Sequence, residues 1–231
     1  MLLTDEIKAY LYGNGVLVVG FADLKCLPPE IRENFDYGIV IGLTYSKEAM
    51  RDNKNGNAKR YYAEFTPINK KLPQLAIGVA ELLIKKGYKA LAKVQTMIVQ
   101  NDDYRTVLPH KTVATLAGIG WIGKCALLVT EEFGSALRLI VVLTNTPLDC
   151  GIPIKKSKCA ENCSVCMDVC PGHAPMGGLW SQGIERDTFF NAHACRPAAR
   201  AHAKAALGIE ETLCGLCISN CPFTKKALGY E

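Results

Sequence analysis

The sequence lacks long apolar runs, and no stretch approaches the roughly 18 residues that a membrane-spanning helix needs. Its first ten residues, MLLTDEIKAY, also lack the basic region followed by an apolar run that is typical of a secretory signal. We therefore expect a cytoplasmic protein that does not bind a membrane.

A strong excess of one charge is also missing, since 27 basic and 22 acidic residues leave a formal net charge of +5. That count treats every cysteine as neutral. If eight cysteines held two iron-sulfur clusters, each cluster with its thiolates would add roughly −2 and leave about +1. The charge balance therefore gives no reason to expect a nucleic-acid partner.

Cysteine is abundant, with 11 in a chain of 231 residues. Because cytosolic thiols are kept reduced, this number without an export signal predicts metal ligation or thiol chemistry rather than disulfides. Hydrophobic residues make up 49% of the chain, which is enough for one large domain or two small ones.

Apolar periodicity predicts alternating helices and strands as far as about residue 148. The clearest helix runs from Thr66, as cap, to Gly87, with Pro67 in its first turn, and the polar stretch 51–60 is predicted as a mobile loop. Beyond Cys150 the composition shifts to cysteine, proline and glycine. We therefore predict an α/β cofactor-binding domain at 1–148 and a cysteine-rich domain at 149–231.

Eight cysteines form two motifs that both end in Cys-Pro, CAENCSVCMDVCP at 159–171 and CGLCISNCP at 214–222, with Cys195 between them. Paired Cys-Pro motifs are typical of bacterial two-cluster ferredoxins, in which the last cysteine of each motif ligates the other cluster. The predicted ligands of the first 4Fe-4S cluster are Cys159, Cys163, Cys166 and Cys221. Those of the second 4Fe-4S cluster are Cys170, Cys195, Cys214 and Cys217.

Two alternatives stay open for these motifs. Structural zinc sites also use C-x2-C pairs, although zinc does not account for the two Cys-Pro endings. The first spacing is x3 instead of the usual x2, so either the loop bulges by one residue or Cys150 replaces Cys159 as a ligand. Cys26 and Cys125 stand apart from the motifs, and such cysteines are most often small buried hydrophobes.

The segment HKTVATLAGIGWIGK at 110–124 contains the pattern GIGWIG. These glycines follow a predicted helix and lead into a strand, which is the reverse of a dinucleotide-binding loop, so that function is excluded. Either Trp121 is exposed and packs on a planar ligand, or the glycines form a tight turn that places Trp121 in the core.

This segment, the following LLVTEEFGSALRLIVVLTNTPLD and the two Cys-Pro motifs, in that order, resemble the catalytic core of epoxyqueuosine reductases. The resemblance extends from about residue 40 to the end and includes AKRYYAEF at 58–65. It implies an α+β protein with a nitroreductase-like α/β domain followed by a two-cluster ferredoxin-like domain. It also implies two 4Fe-4S clusters and cobalamin, a relationship to reductive dehalogenases, and a flavin as a less favoured alternative.

The resemblance also implies where cofactor contacts and a proton donor lie. The cofactor-binding candidates share the glycine-tryptophan segment and are His110, Lys111, Gly118, Gly120, Trp121, Gly123 and Lys124. The family's catalytic Asp falls on Tyr104 in an ungapped count, or on Asp103 if the count shifts by one. Dehalogenases in the related family use a tyrosine as proton donor, so both residues are catalytic candidates, with a solvated strand end as the alternative.

The resemblance leads us to expect a cobalamin-dependent iron-sulfur reductase that receives electrons from a low-potential ferredoxin or flavodoxin type of donor. We expect a small-molecule substrate and not tRNA, because the family's helical-repeat region would follow Pro222 and only nine residues do. The alternative is an electron-transfer protein that serves a partner corrinoid or flavin protein and has no substrate of its own.

Overall fold

The computed structural model describes residues 3–94 and 100–231, and these residues form two compact units of mixed helix and sheet. Unit 1 comprises Met1–Thr44, Ile68–Ile119 and Arg138–Ile154, and unit 2 comprises Tyr45–Pro67, Gly120–Leu137 and Lys155–Glu231. Each unit is therefore built from three separate segments. The predicted boundary at 148/149 falls inside unit 1, and the division into a cofactor domain and a cluster domain stays a prediction.

Unit 1 is organised around a four-stranded sheet in the order β1-β2-β6-β3, in which the β1/β2 and β3/β6 pairs are antiparallel. Its strands are β1 (Val18–Asp23), β2 (Tyr37–Thr44), β3 (Ala90–Ala92) and β6 (Leu137–Thr144). Its helices are α1 (Leu3–Gly13), α4 (His110–Leu116) and the part of α3 (Lys59–Lys85) that follows Pro67. The stretch YKALAKVQTMIVQ at 88–100 suggests extended structure from its sequence; it contains β3, and its residues 95–99 lie outside the described part.

The interior of unit 1 is apolar. Leu72, Leu75 and Leu83 recur at helical spacing on α3 and pack in one hydrophobic cluster with Ile39 and Ile41 of β2. Helix spacing puts such residues on a single face, which the sheet covers. The apolar face predicted for this helix is confirmed.

The start predicted for this helix is wrong, because α3 begins at Lys59 and contains Pro67. A proline inside a helix removes one backbone hydrogen bond, so the preceding turns need other contacts. Tyr61 provides one in unit 2, where its buried ring lies 4.7 Å from the ring of Tyr45, centroid to centroid.

The mobile loop predicted at 51–60 is also wrong, because Lys47–Lys54 forms helix α2 and α3 follows after a short turn. Ser46 caps α2 by accepting a hydrogen bond from the Ala49 N–H at 3.0 Å. Asn53 is completely buried, although its neighbours in the sequence are charged or polar.

Unit 2 consists of short elements joined by cysteine-containing loops. Its hairpin pairs β4 (Trp121–Ile122) with β5 (Leu128–Val129), so the strand predicted over CALLVT is only two residues long. Its remaining helices are α5 (Val165–Asp168), α6 (Ala192–Leu207), α7 (Leu216–Ser219) and α8 (Pro222–Leu228), with a 3-10 turn at Arg186–Thr188. No helix within residues 3–94 and 100–231 has the length and apolar character needed to cross a membrane.

Candidate functional site

The first cysteine group lines a cavity of about 340 Å³ in unit 2. Cys159 and Cys163 lie in the loop before α5, Cys166 lies on α5, and Cys221 directly precedes Pro222 at the start of α8. A cysteine of the second motif thus joins three cysteines of the first. Side chains that surround a space of this size are suited to a small ligand rather than to one atom.

The thiols of this first group are close enough to influence one another. Burial raises the pKa of Cys166 to about 12, and Cys159, Cys163 and Cys221 add to the rise. Burial likewise raises the pKa of Cys221 to about 11. Positively charged iron lowers the pKa of such clustered thiols, because it binds thiolates and releases their protons. The donor set therefore fits an iron-sulfur cluster.

The second cysteine group lies on α6, α7 and the loops beside them. Burial raises the pKa of Cys195, on α6, to about 11, and Cys170 and Cys214 contribute to that rise. The pKa of Cys217 is raised by a hydrogen bond with Cys125, by burial, and by Cys214 and Cys195. Apart from Cys125, which neighbours both groups, these thiols have as neighbours the members of their own predicted set, although Cys217 also borders the cavity of the first group. The role of the eight cysteines as cluster ligands stays a prediction.

Close backbone approaches hold the second group in place. A Cβ on Gly172, which follows Cys170-Pro171, would lie 2.5 Å from the Ala194 carbonyl oxygen of α6, next to Cys195. Gly215 has φ +73° and would meet the Tyr61 ring at 2.6 Å if it carried a Cβ. Only glycine suits such a position, because L side chains rarely adopt that φ.

Backbone N–H groups point at several of the cysteine sulfurs. Ala174 donates to Cys170 Sγ at 3.4 Å, Leu216 donates to Cys214, and Phe223 and Thr224 donate to Cys221. Such donors favour the thiolate, which is the form that ligates iron, and they tune the potentials of iron-sulfur clusters. In residues 3–94 and 100–231, no three His, Cys, Asp or Glu side chains are grouped to hold a single metal ion.

The structure distinguishes Cys159 from Cys150, the two candidates for the first ligand. Cys159 lines the cavity with the other three members of its group. Cys150 belongs to unit 1, packs against the hydrophobic cluster and donates a hydrogen bond from its thiol to the Leu148 carbonyl at 3.3 Å. Cys159 is therefore the better candidate, and the x3 spacing is accommodated in the loop.

Burial, which was expected for the two cysteines outside the motifs, is confirmed for Cys125 and wrong for Cys26, which is exposed. The contacts of Cys125 with the cysteine groups are the feature that the sequence does not predict. Cys125 is buried between β4 and β5, lines the same cavity as the first group, and is hydrogen-bonded to Cys217 of the second. It also raises the pKa values of Cys166 and Cys195. The fixed spacings of the Cys-Pro motifs carry no sign of it, because it lies 34 residues before Cys159.

The glycines of the segment at 118–124 serve close backbone packing. Gly118 has φ +72°, and a Cβ there would lie 2.5 Å from the Ile152 carbonyl oxygen. A Cβ on Gly120 would lie 2.2 Å from the Val129 carbonyl oxygen, and one on Gly123 would lie 2.9 Å from the Val129 side chain. These contacts place the glycines in a tight turn between helix and hairpin.

Trp121 is not exposed, so the interpretation that it offers a free face to a planar ligand is wrong. Its side chain is completely buried, and its ring makes an edge contact with Phe223 at 4.9 Å between centroids. Lys124 is also buried, and its Nζ donates to the carbonyl oxygens of Glu161 at 2.7 Å and Cys163 at 2.9 Å. Protein atoms thus already contact both side chains, and the cofactor contacts predicted for them stay untested.

The remaining predicted residues lie in unit 1. His110 begins α4 and lines a polar cavity of about 400 Å³ with Lys93 and Arg138, and its Nδ1 lies 3.1 Å from the Leu139 carbonyl oxygen. Burial lowers the pKa of His110. Lys111, the next residue of α4, is half-buried.

The two catalytic candidates lie in a turn of unit 1. The Tyr104 N–H donates to the Asn101 carbonyl at 3.0 Å, and Tyr104 has φ +56°, which is uncommon for a residue other than glycine. Asp103 is exposed and Tyr104 is half-buried. A proton-donor role for either residue stays a prediction.

Curated relatives of the chain are named epoxyqueuosine reductase. The relative from Listeria monocytogenes is 40% identical over 204 residues, which cover 76% of this chain and 53% of the relative. The relative from Synechococcus sp. is 32% identical over 123 residues, covering 53% of this chain and 38% of the relative. The chain thus spans about two fifths to half the length of these relatives, and no family model matches it.

Solved structures with the same fold carry two names. An epoxyqueuosine reductase with an epoxyqueuosine-modified tRNA-Tyr stem loop has a TM-score of 0.64 at 20% identity, covering 96% of this chain and 65% of the other. A reductive dehalogenase structure, described as suggesting a mechanism for B12-dependent dehalogenation, has a TM-score of 0.61 at 17% identity, covering 94% and 31%. The chain is therefore a homologue of epoxyqueuosine reductases and shares its fold with reductive dehalogenases.

Proposed function

We propose that this homologue of epoxyqueuosine reductases is an iron-sulfur reductase that works with a corrinoid cofactor. The observation that carries the proposal is the grouping of eight cysteines into two sets of four within unit 2, with Cys170 and Cys221 exchanged between the motifs. In two-cluster ferredoxins the same exchange connects the clusters. We accordingly propose a ferredoxin-like arrangement of the cysteine-rich part and a nitroreductase-like arrangement of the α/β part.

Each set of four cysteines would hold one cluster. Cys159, Cys163, Cys166 and Cys221 would hold one 4Fe-4S cluster, and Cys170, Cys195, Cys214 and Cys217 would hold the other. When bound, the clusters supply one-electron transfer at low potential, and a corrinoid supplies the reducing centre for the substrate. The N–H donors at Cys170, Cys214 and Cys221 stabilise the charged sulfurs of the ligands.

Support for a corrinoid cofactor comes mainly from the proteins to which the chain is similar. One structural neighbour is described with B12-dependent dehalogenation. Of the predicted cofactor contacts, Trp121 and Lys124 are already packed within the protein. The Cβ positions of Gly118 and Gly120 are blocked by carbonyl oxygens, and that of Gly123 by the Val129 side chain. His110 and Lys111 are therefore the predicted contacts that remain for a corrinoid, and Tyr104 or Asp103 would supply the proton.

The test is anaerobic reconstitution with iron and sulfide, followed by metal analysis and absorption spectroscopy with added cobalamin. We expect about eight iron atoms per chain and a base-off cobalamin spectrum. The variants Cys166→Ser and Cys195→Ser should each lose about half of the iron, while Cys26→Ser, an exposed cysteine of unit 1, should lose none. A colourless protein with stoichiometric zinc would overturn the proposal.

Turnover assays then separate the possible substrates and the electron-transfer alternative. One relative is known in a complex with a tRNA stem loop, so epoxyqueuosine-modified tRNA is assayed beside small molecules. Turnover of the tRNA would contradict our preference for a small-molecule substrate. Clusters that are reduced by a low-potential donor, in a protein that binds no cobalamin, would instead show an electron-transfer protein.

A further inference from the structure

The turn after β4 places two neighbouring side chains against the two different cysteine groups. Lys124 lines the cavity of the first group, and its Nζ donates to the carbonyl oxygens of Glu161 and Cys163, at 2.7 and 2.9 Å. Cys125 lines the same cavity and is hydrogen-bonded to Cys217, a member of the second group that also borders this cavity. Both residues are buried, with 3% and 5% exposure.

We propose that Lys124 and Cys125 are positioning residues that set the potentials of the clusters, Lys124 that of the Cys159 group alone and Cys125 those of both groups. The inference rests on the proposed pair of clusters. Neither residue ligates iron in this proposal, and each acts through the ligands that it contacts.

Lys124 acts through its charge. Reduction adds an electron to a cluster, so a nearby cation stabilises the reduced state and raises the potential. Lys158 and Lys226 also line the cavity, but Lys226 is exposed, and Lys158 is paired with Glu131. Solvent screens exposed charges, so the buried Lys124 has the largest effect of the three.

Cys217 carries no proton when it ligates iron, so Cys125 is then the thiol that donates, and it acts through its hydrogen. A hydrogen bond to a ligand sulfur withdraws electron density and stabilises the reduced cluster, again raising the potential. Its sulfur lies 3.7 Å from the position a Cβ on Gly123 would occupy, and Cys159 Sγ lies 3.6 Å from that position. Both distances are ordinary van der Waals contacts, which places Cys125 beside the first cysteine group as well as beside Cys217.

The experiment is a redox titration of each cluster by electron paramagnetic resonance in the reconstituted chain. The two signals are assigned with Cys166→Ser and Cys195→Ser, which each lack one cluster. Lys124→Gln should lower the potential of the Cys166 cluster alone, whereas Cys125→Ala should lower the potentials of both clusters. Each shift should correspond to about a tenfold change in the reduction equilibrium.

Matched variants test the two causes. Cys125→Ser keeps a donor of similar size and should restore both potentials, whereas Cys150→Ala, which removes a thiol in unit 1, should leave both potentials unchanged. Lys226→Gln makes the same charge change at an exposed position and should shift the potential less than Lys124→Gln. If Lys124→Gln loses the first cluster, Lys124→Arg, which keeps the charge, should restore both iron content and potential.

The outcomes distinguish this inference from the proposed function. A wild-type chain without clusters overturns both. If the clusters keep normal iron content but Lys124→Gln shifts both potentials or neither, or Cys125→Ala shifts only one or neither, then only the division of roles between Lys124 and Cys125 is overturned. A shift in Lys226→Gln as large as that in Lys124→Gln, or failure of Lys124→Arg to restore the first cluster, overturns the role of the buried charge.

Discussion

Units 1 and 2 differ in what fills their interiors. The hydrophobic cluster built from α1, α3, β1, β2 and β6 belongs to unit 1. Unit 2 buries apolar side chains such as Trp121 and Phe189, but beside its two groups of cysteines it also buries Asn53, Lys124, Ser219 and Thr224. Unit 1 is stabilised mainly by apolar burial, whereas unit 2 depends in addition on hydrogen bonds and on what its cysteines bind.

Removal of the clusters should produce the largest difference in stability between the two units. Anaerobic treatment of the reconstituted chain with an iron chelator should abolish hydrogen-exchange protection in α5, α7 and α8, because metal-binding free energy contributes directly to folding. Protection in β2 and β6 should persist. Loss of protection in both units together would show that unit 1 also depends on the clusters.

The next effect should be confined to unit 1. Leu83→Ala removes a fully buried side chain from the hydrophobic cluster and should reduce the free energy of unfolding by about 2–5 kcal/mol. Its neighbour Ile84 is 54% exposed, so Ile84→Ala should cost far less and is the matched control. Chemical denaturation measures both, and iron content should be unchanged in both. If both variants lost the same free energy of unfolding, or if Leu83→Ala lost iron, the separate stabilisation of unit 1 by its hydrophobic cluster would be contradicted.

A smaller effect is expected from a polar contact of unit 2. The Asn53 amide donates to the Cys214 carbonyl at 3.2 Å and to Ser219 Oγ at 3.1 Å. Asn53→Ala leaves both buried acceptors without this donor, which should cost about 1–3 kcal/mol of unfolding free energy. It should also lower the iron content of the Cys195 group.

Asn55→Ala is the control for this variant, because Asn55 is exposed in the turn between α2 and α3. Denaturation and iron analysis of the two variants should therefore differ. If Asn53→Ala keeps full stability and full iron content, then its contact with the Cys214 loop does not support the second group.

The same comparison shows which features can be predicted from the sequence. Helix α4 and strands β1, β2 and β6 follow from apolar periodicity, and the two sets of cysteines follow from motif spacing, because both signals are local. That residues 45–67 belong to unit 2 cannot be predicted in this way, because Asn53 and Cys214 are 161 residues apart and their contact leaves no periodic pattern in the sequence. The contacts of Cys125 with the two cysteine groups cannot be predicted for the same reason.

The smallest expected effect is a pH dependence within unit 1. Burial lowers the pKa of His110, so the folded state favours the neutral ring and the unfolded state binds the proton more readily. The stability that the neutral, buried His110 ring contributes is complete above the ordinary histidine pKa of about 6.5. As the pH falls from 6.5 toward the lowered pKa of His110, the unfolded state gains a proton that the folded state does not, and the free energy of unfolding decreases. His110→Gln cannot titrate, so its stability should fall less than that of the wild type between pH 7.5 and pH 5.5.

The measurement is hydrogen exchange of β2 and β6 at the two pH values, which reports on unit 1 alone. Lys111→Gln is the matched control, because it changes the neighbouring charge on α4 and leaves His110 in place, and lysines do not titrate in this range. It should keep the wild-type pH dependence. If His110→Gln and the wild type lose protection in parallel, His110 is not the source of the dependence, and its burial carries no energetic cost at acidic pH.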